Sequence, residues 1–127
     1  MRAALDGGGA SPLVPSVDTP LGIVADSESV FFTNFLNGTL NRVAYDGGGA
    51  KAIEVGQINP QGIAIDDANI YWVDYATTDG VVWKAAKDGS GKIRLASQQA
   101  GPRRIAVDQV AVYWTNSGNG LVTKVAK

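Results

Sequence analysis

Apolar residues along this chain fall in short runs of four to seven, separated by polar, glycine-rich links, and no window carries a helical stripe. The runs are rich in Val, Ile, Tyr, Trp and Phe, as in Val30-Phe-Phe-Thr-Asn34, Ile70-Tyr-Trp-Val-Asp74 and Val112-Tyr-Trp-Thr-Asn116. Such runs predict β-strands. The links carry turn chemistry. Asp46-Gly-Gly-Gly49 and Asp88-Gly-Ser-Gly91 supply residues that accept positive φ, as tight hairpins require, and Asn37-Gly38 and Asn119-Gly120 do the same elsewhere. The pattern therefore predicts an all-β chain built from antiparallel hairpins.

The runs repeat in a fixed order. Pro20-Leu-Gly-Ile-Val-Ala-Asp26, Pro60-Gln-Gly-Ile-Ala-Ile-Asp66 and Pro102-Arg-Arg-Ile-Ala-Val-Asp108 open three units at offsets of 40 and 42 residues. Four residues after each Asp comes the aromatic run, and beyond a Gly at 38, 80 or 120 comes a third run: Leu40–Ala44, Val82–Ala86 or Val122–Ala126. A fourth follows the glycine-rich turn. Four antiparallel strands in about 41 residues match a β-propeller blade, whose sheets pack face to face around an axis. A β-sandwich is the competing architecture, but it would not need the Asp-to-aromatic spacing to recur three times.

The resulting division is a segment 1–19, blades at 20–59 and 60–101, and three strands of a further blade at 102–127. Arg2-Ala-Ala-Leu-Asp-Gly7 copies Arg42-Val-Ala-Tyr-Asp-Gly47, so the chain is expected to open inside a third strand and to supply a fourth around Ser11 to Val14. Three blades cannot close a ring alone. Two copies joined head to tail would make six, the leading segment of each completing the last blade of the other and covering open sheet edges. A piece of a longer propeller is the other explanation, and the two are compatible.

The aromatic runs resemble the YWTD repeats of low-density lipoprotein receptor type propellers, and the Pro-x-Gly-Ile-Ala-x-Asp opening is similar to NHL and related TolB-like six-bladed propellers, bacterial ones in particular. The resemblance spans nearly the whole chain and implies a six-bladed fold. It departs from the YWTD motif at Phe31, Phe32, Val73, Asn34 and Asn116. These families include receptor ectodomains, adhesion and scaffold modules, sugar-handling proteins and some lyases or lactonases, so the resemblance specifies fold far more than activity.

Composition narrows the chemistry. The chain has no Cys and no His, which removes thiolate nucleophiles, the commonest metal ligand and the base of hydrolytic triads. Its 11 Lys and Arg against 12 Asp and Glu give a net charge of −1 without a basic cluster, so no nucleic-acid partner is expected. No apolar run reaches membrane-span length, and no membrane association is expected. A soluble chain follows, secreted or periplasmic if cut from a longer precursor.

The repeated residues have structural readings. Trp72, Trp114 and Phe32 are expected to wedge between blades, while Tyr71 and Tyr113 occupy the alternate face, with hydroxyls that need partners where buried; Phe31 is the structural-repeat residue of the first unit. Asp26, Asp66 and Asp108 are placed to cap the turn after the first strand; in a six-bladed ring they would also form a carboxylate circle near the channel. Asp74, Asn34 and Asn116 are expected to tie neighbouring blades through side-chain to backbone bonds. Trp83 stands where the other units have Asn41 and Thr123, which marks it as a contact candidate. The loop residues Tyr75, Thr77, Thr78, Asp79, Ser117, Asn119 and Asn116 form the expected ligand surface.

The glycine turns lack the Walker spacing and a following helix, and the Asp-x-Asp-x-Asp calcium spacing is absent. No catalytic residue, cofactor or metal is assigned. The expected function is a structural or binding propeller for a protein, glycan or small molecule. The alternative is a lactonase- or lyase-like enzyme that uses carboxylates and a divalent metal.

Overall fold

The computed structural model describes residues 1–5 and 7–127 and contains three antiparallel sheets. Asp6, part of the copied Arg2–Gly7 stretch, lies outside the described residues. The first sheet holds β1 (Pro20–Ala25), β2 (Ser29–Asn34), β3 (Thr39–Ala44) and β4 (Lys51–Glu54), and the second holds β5 (Pro60–Ile65), β6 (Asn69–Asp74), β7 (Gly80–Ala86) and β8 (Ile93–Gln99). The third holds β9 (Pro102–Val107), β10 (Ala111–Asn116) and β11 (Leu121–Ala126). Within each sheet the strands pair in chain order, as successive hairpins. Each glycine-bearing turn reverses the chain where the sequence pattern places it; Gly89, at φ 90°, takes a backbone conformation that an L side chain rarely adopts.

The registers repeat with the sequence. Arg42 lies opposite Lys51 in the first sheet, and Lys84 lies opposite Ile93 in the second. The leading segment reproduces that pairing in its one isolated bridge, Arg2 opposite Ser11, with both backbone bonds at 2.9 Å. It also occupies the matching place on its neighbour. Gly89 of the second sheet abuts the carbonyl of Ile53, and Gly47 of the first faces the carbonyl of Leu13 at 3.5 Å from an added Cβ. The segment thus stands against the first sheet as the first stands against the second, though among the described residues it holds a single bridge where an extended strand is expected.

Two apolar layers hold the sheets together. Phe31 and Leu40 of the first sheet pack with Ile63, Ile70, Trp72 and Ala85 of the second. Tyr71, Val73 and Val82 leave the opposite face of the second sheet to meet Val112 and Trp114 of the third. Each sheet therefore has an incoming and an outgoing face, both apolar, which is why the runs read as briefly all apolar rather than alternating. Every large side chain buried in these layers contributes roughly 1.5–3 kcal/mol.

The first strands also approach closely. A Cβ on Gly22 would collide with the carbonyl of Gln61, and one on Gly62 would sit 2.5 Å from the carbonyl of Arg103. Glycine at these positions lets β1 meet β5 and β5 meet β9 backbone to backbone.

Candidate functional site

The repeated polar residues sit at the seams. Asp26 Oδ1 accepts the amides of Glu28 and Ser29 at 2.9 Å, Asp66 Oδ1 those of Ala68 and Asn69, and Asp108 Oδ1 those of Val110 and Ala111. The second oxygen faces across the sheet. Tyr71 donates its hydroxyl to Asp66 Oδ2 at 2.8 Å, and Tyr113 donates to Asp108 Oδ2 at 2.9 Å. Phe31, in the same slot, has no hydroxyl to give.

Between sheets two of these carboxylates receive a lysine. Lys87 of the second sheet lies 2.9 Å from Asp26, and Lys127 of the third lies 2.8 Å from Asp66. The Lys87 ammonium, with the Glu28 amide, holds the Asp26 carboxyl down at about 2. Burial opposes ionisation of Asp66, but Lys127, Tyr71 and the amides of Asn69 and Ala68 together keep its carboxyl well below the usual range. Burial, reinforced by that carboxylate, raises the Tyr71 hydroxyl well above its ordinary value. In the first sheet Tyr45 replaces the lysine and donates its hydroxyl to the carbonyl of Asp26. Among the described residues no three acidic side chains gather where they could share a metal ion.

Trp72 and Trp114 are buried between sheets, and each of their indole N–H groups has an acceptor from the preceding linker or strand. Trp72 donates to Gln57 Oε1 at 3.1 Å and Trp114 to Gln99 Oε1 at 2.9 Å. Gln57 and Gln99 were not singled out from the chain, although they stand 42 residues apart, in step with the tryptophans. The equivalent positions for the first sheet are Val17 and Phe32, two apolar residues that line one cavity of about 520 Å³. Donor and acceptor are thus exchanged together.

The motif residues after the aromatics differ in how they bond. Asp74 Oδ2 accepts the Ile58 amide at 3.3 Å and the Trp83 indole N–H at 3.0 Å. Asn34 instead donates to Thr39 Oγ1 at 3.4 Å, and Asn116 donates to Gln99 Oε1 at 2.9 Å. The expected side-chain to backbone tie is present at Asp74 alone among the three. A carboxylate can only accept, whereas the two asparagines here use their amide nitrogens as donors. Burial pushes the Asp74 carboxyl up to about 6 against the pull of Ile58 and Trp83. Trp83 also stacks on Trp72 with centroids 6.3 Å apart, and Lys92 lies 4.8 Å over its ring.

The expected ligand surface divides. Thr77, Thr78 and Asp79 project into solvent in the longer loop of the second sheet. Tyr75 is covered by the Arg103 guanidinium at 4.7 Å, and Arg103 also donates to Ser117 Oγ at 3.0 Å. Asn119 accepts the Leu121 amide within its own turn. Tyr75 and Ser117 are therefore brought together by Arg103, while the threonines stand apart from that group.

The two ends of the array expose unlike apolar faces. Leu40 and Val82 are 0% exposed beneath the following sheet, whereas the equivalent Val122 is 76% exposed. Tyr113 and Thr115 lie beside it on the outgoing face of the third sheet. At the other end Ile23 is 68% exposed against 7% for the equivalent Ile63. Ile23, Val30, Phe32 and Val43 line the cavity that the leading segment only partly closes.

No protein-family model and no curated protein matches the chain. Solved structures do. A chain in the crystal structure of a nidogen/laminin complex aligns with a TM-score of 0.72 at 18% identity, covering 98% of this chain and 66% of that one. A structural-genomics protein of unknown function from Bacteroides thetaiotaomicron aligns with a TM-score of 0.63 at 16% identity, covering 84% of this chain and 31% of that one. The chain thus spans less than two thirds of either neighbour. The first is a YWTD-type propeller and the second an NHL-like one, as the repeats resemble. The three sheets are blades of a β-propeller.

Proposed function

We propose that this chain is a β-propeller interaction module that works by blade-to-blade association, first of all with a second copy of itself. The reading rests on one observation: the outgoing face of the third blade, with Val122 76% exposed, is uncovered, the incoming face of the first, with Ile23 68% exposed, is only partly closed by the leading segment, and both are equivalent to faces that pack together twice inside the chain. On this reading residues 1–19 help complete the partner's blade, 20–59 and 60–101 are full blades, and 102–127 is the blade awaiting its fourth strand. β11 of one copy pairs with Ser11–Val14 of the other, Lys124 taking the place opposite Ser11 that Lys84 takes opposite Ile93. Met1–Leu5 gives way. Two copies then make a six-bladed ring.

The loops around Tyr75, Arg103 and Ser117, with Thr77, Thr78 and Asp79 beside them, form the surface for a further protein partner, with glycans and small molecules as other ligand classes. The neighbour taken from a nidogen/laminin complex supports a protein partner. Light scattering tests the association. A mass near twice 13.2 kDa supports closure, and a stable monomer at high concentration overturns it.

A further inference from the structure

We propose that Arg104 keeps a second copy from docking on the third blade at the close spacing used between blades of one chain, so that seams between copies are wider at their inner strands than seams within a copy. The proposal rests on the self-association reading. All three first strands are bulged at the same place: register breaks between Pro20 and Ile23, between Pro60 and Ile63, and opposite Pro102 and Ile105. In the first two blades the bulge carries Gly22 and Gly62, and an added Cβ there meets the next blade's backbone. In the third blade the same position is Arg104.

Its backbone is held as the glycine is. The Gly22 amide donates to Thr33 Oγ1 at 2.9 Å, and the Arg104 amide donates to Thr115 Oγ1 at 3.3 Å. Its Cβ therefore leaves from the outgoing face. The Cβ built on Gly62 lies 2.5 Å from Arg103 O, 3.0 Å from Arg104 Cα and 3.1 Å from Ile105 N. A second copy seated in the same way would place Leu21 O, Gly22 Cα and Ile23 N against the real Cβ of Arg104. Backbone cannot yield as a flexible side chain can, so the inner strands must part.

Val122 and Tyr113 lie on the outer strands of that face, where apolar packing can still form, and the seam opens as a wedge pivoting there. The guanidinium adds a second cost, since closure at native spacing would bury it beside Ile23.

The test is the dissociation constant of self-association, by analytical ultracentrifugation, for wild type, R104G and R104A, with melting of dilute samples as the folding control. The expected result is at least about tenfold tighter association for R104G, with R104A close to wild type because Ala keeps the Cβ. Wild type that associates while R104G is no tighter overturns the role of Arg104 and leaves self-association standing. R104A tightening as much as R104G assigns the effect to the charge and overturns the steric proposal. No association by any of the three overturns both readings.

Discussion

Trp72 Nε1 lies 3.1 Å from Gln57 Oε1, and this bond joins the core aromatic of the second blade to the linker that leaves the first. Gln57→Val would strand a buried indole N–H, at a cost of about 1–3 kcal/mol. The double variant Q57V/W72F reproduces the apolar Val17 and Phe32 couple, and should recover part of that loss. Urea unfolding of the single and double variants measures both, and a double variant destabilised by the sum of the singles or more would refute the pairing.

Asp74 should make the protein more stable in mild acid. Its folded value of about 6 lies above the ordinary 3.8, so the folded state binds its proton more tightly than the unfolded chain does. The stabilisation by protonation is fully present below pH 3.8 and is lost as pH rises through 6. The difference is worth up to about 3 kcal/mol. Asp74→Asn, which installs the residue of the other two blades, should flatten the profile between those limits. An unchanged profile in melts from pH 4 to 7 would count against it.

The Lys87 to Asp26 pair has the opposite sign. Asp26 titrates near 2 in the fold, below its ordinary 3.8, so its contribution is present above pH 3.8 and is lost as pH falls toward 2. Both partners are partly solvated, and Lys87→Met should cost under about 1 kcal/mol at pH 7. Acid-unfolding midpoints should move to higher pH in the variant.

Trimming the leading segment should act in two directions. Removing residues 1–5 frees the Ser11 edge from its bond to Arg2 and should strengthen self-association, whereas removing residues 1–17 takes the edge itself and should abolish it. Sedimentation of both truncations checks this, and equal effects from the two would contradict the shared register.

Much of the fold was legible because a propeller writes each layer several times: offsets of 40 and 42 residues mark strands and turns, whereas registers such as Arg42 opposite Lys51 come from the structure. The seam chemistry was harder to read. Lys87 and Asp26 are 61 residues apart, and nothing local to either names the other. Gln57 lies in a linker without an apolar pattern, so only its step with Trp72 and Trp114 could have disclosed it. Asp74 reads as a motif copy of Asn34 and Asn116, yet its acceptor-only carboxylate draws different partners once buried. Arg104 was visible as a break in the Gly22 and Gly62 series, but its meaning depends on the backbone that presses on those glycines.

The middle blade touches neighbours on both faces, while each outer blade touches one along its full length. Coupling that runs only between adjacent units gives a graded rather than uniform resistance to opening. Amide exchange in β6 and β7, around Tyr71, Val73 and Val82, should be slowest, and β11 should fray first. The molecule would then melt inward from its rims, with the central tryptophan as the last fluorophore to meet water.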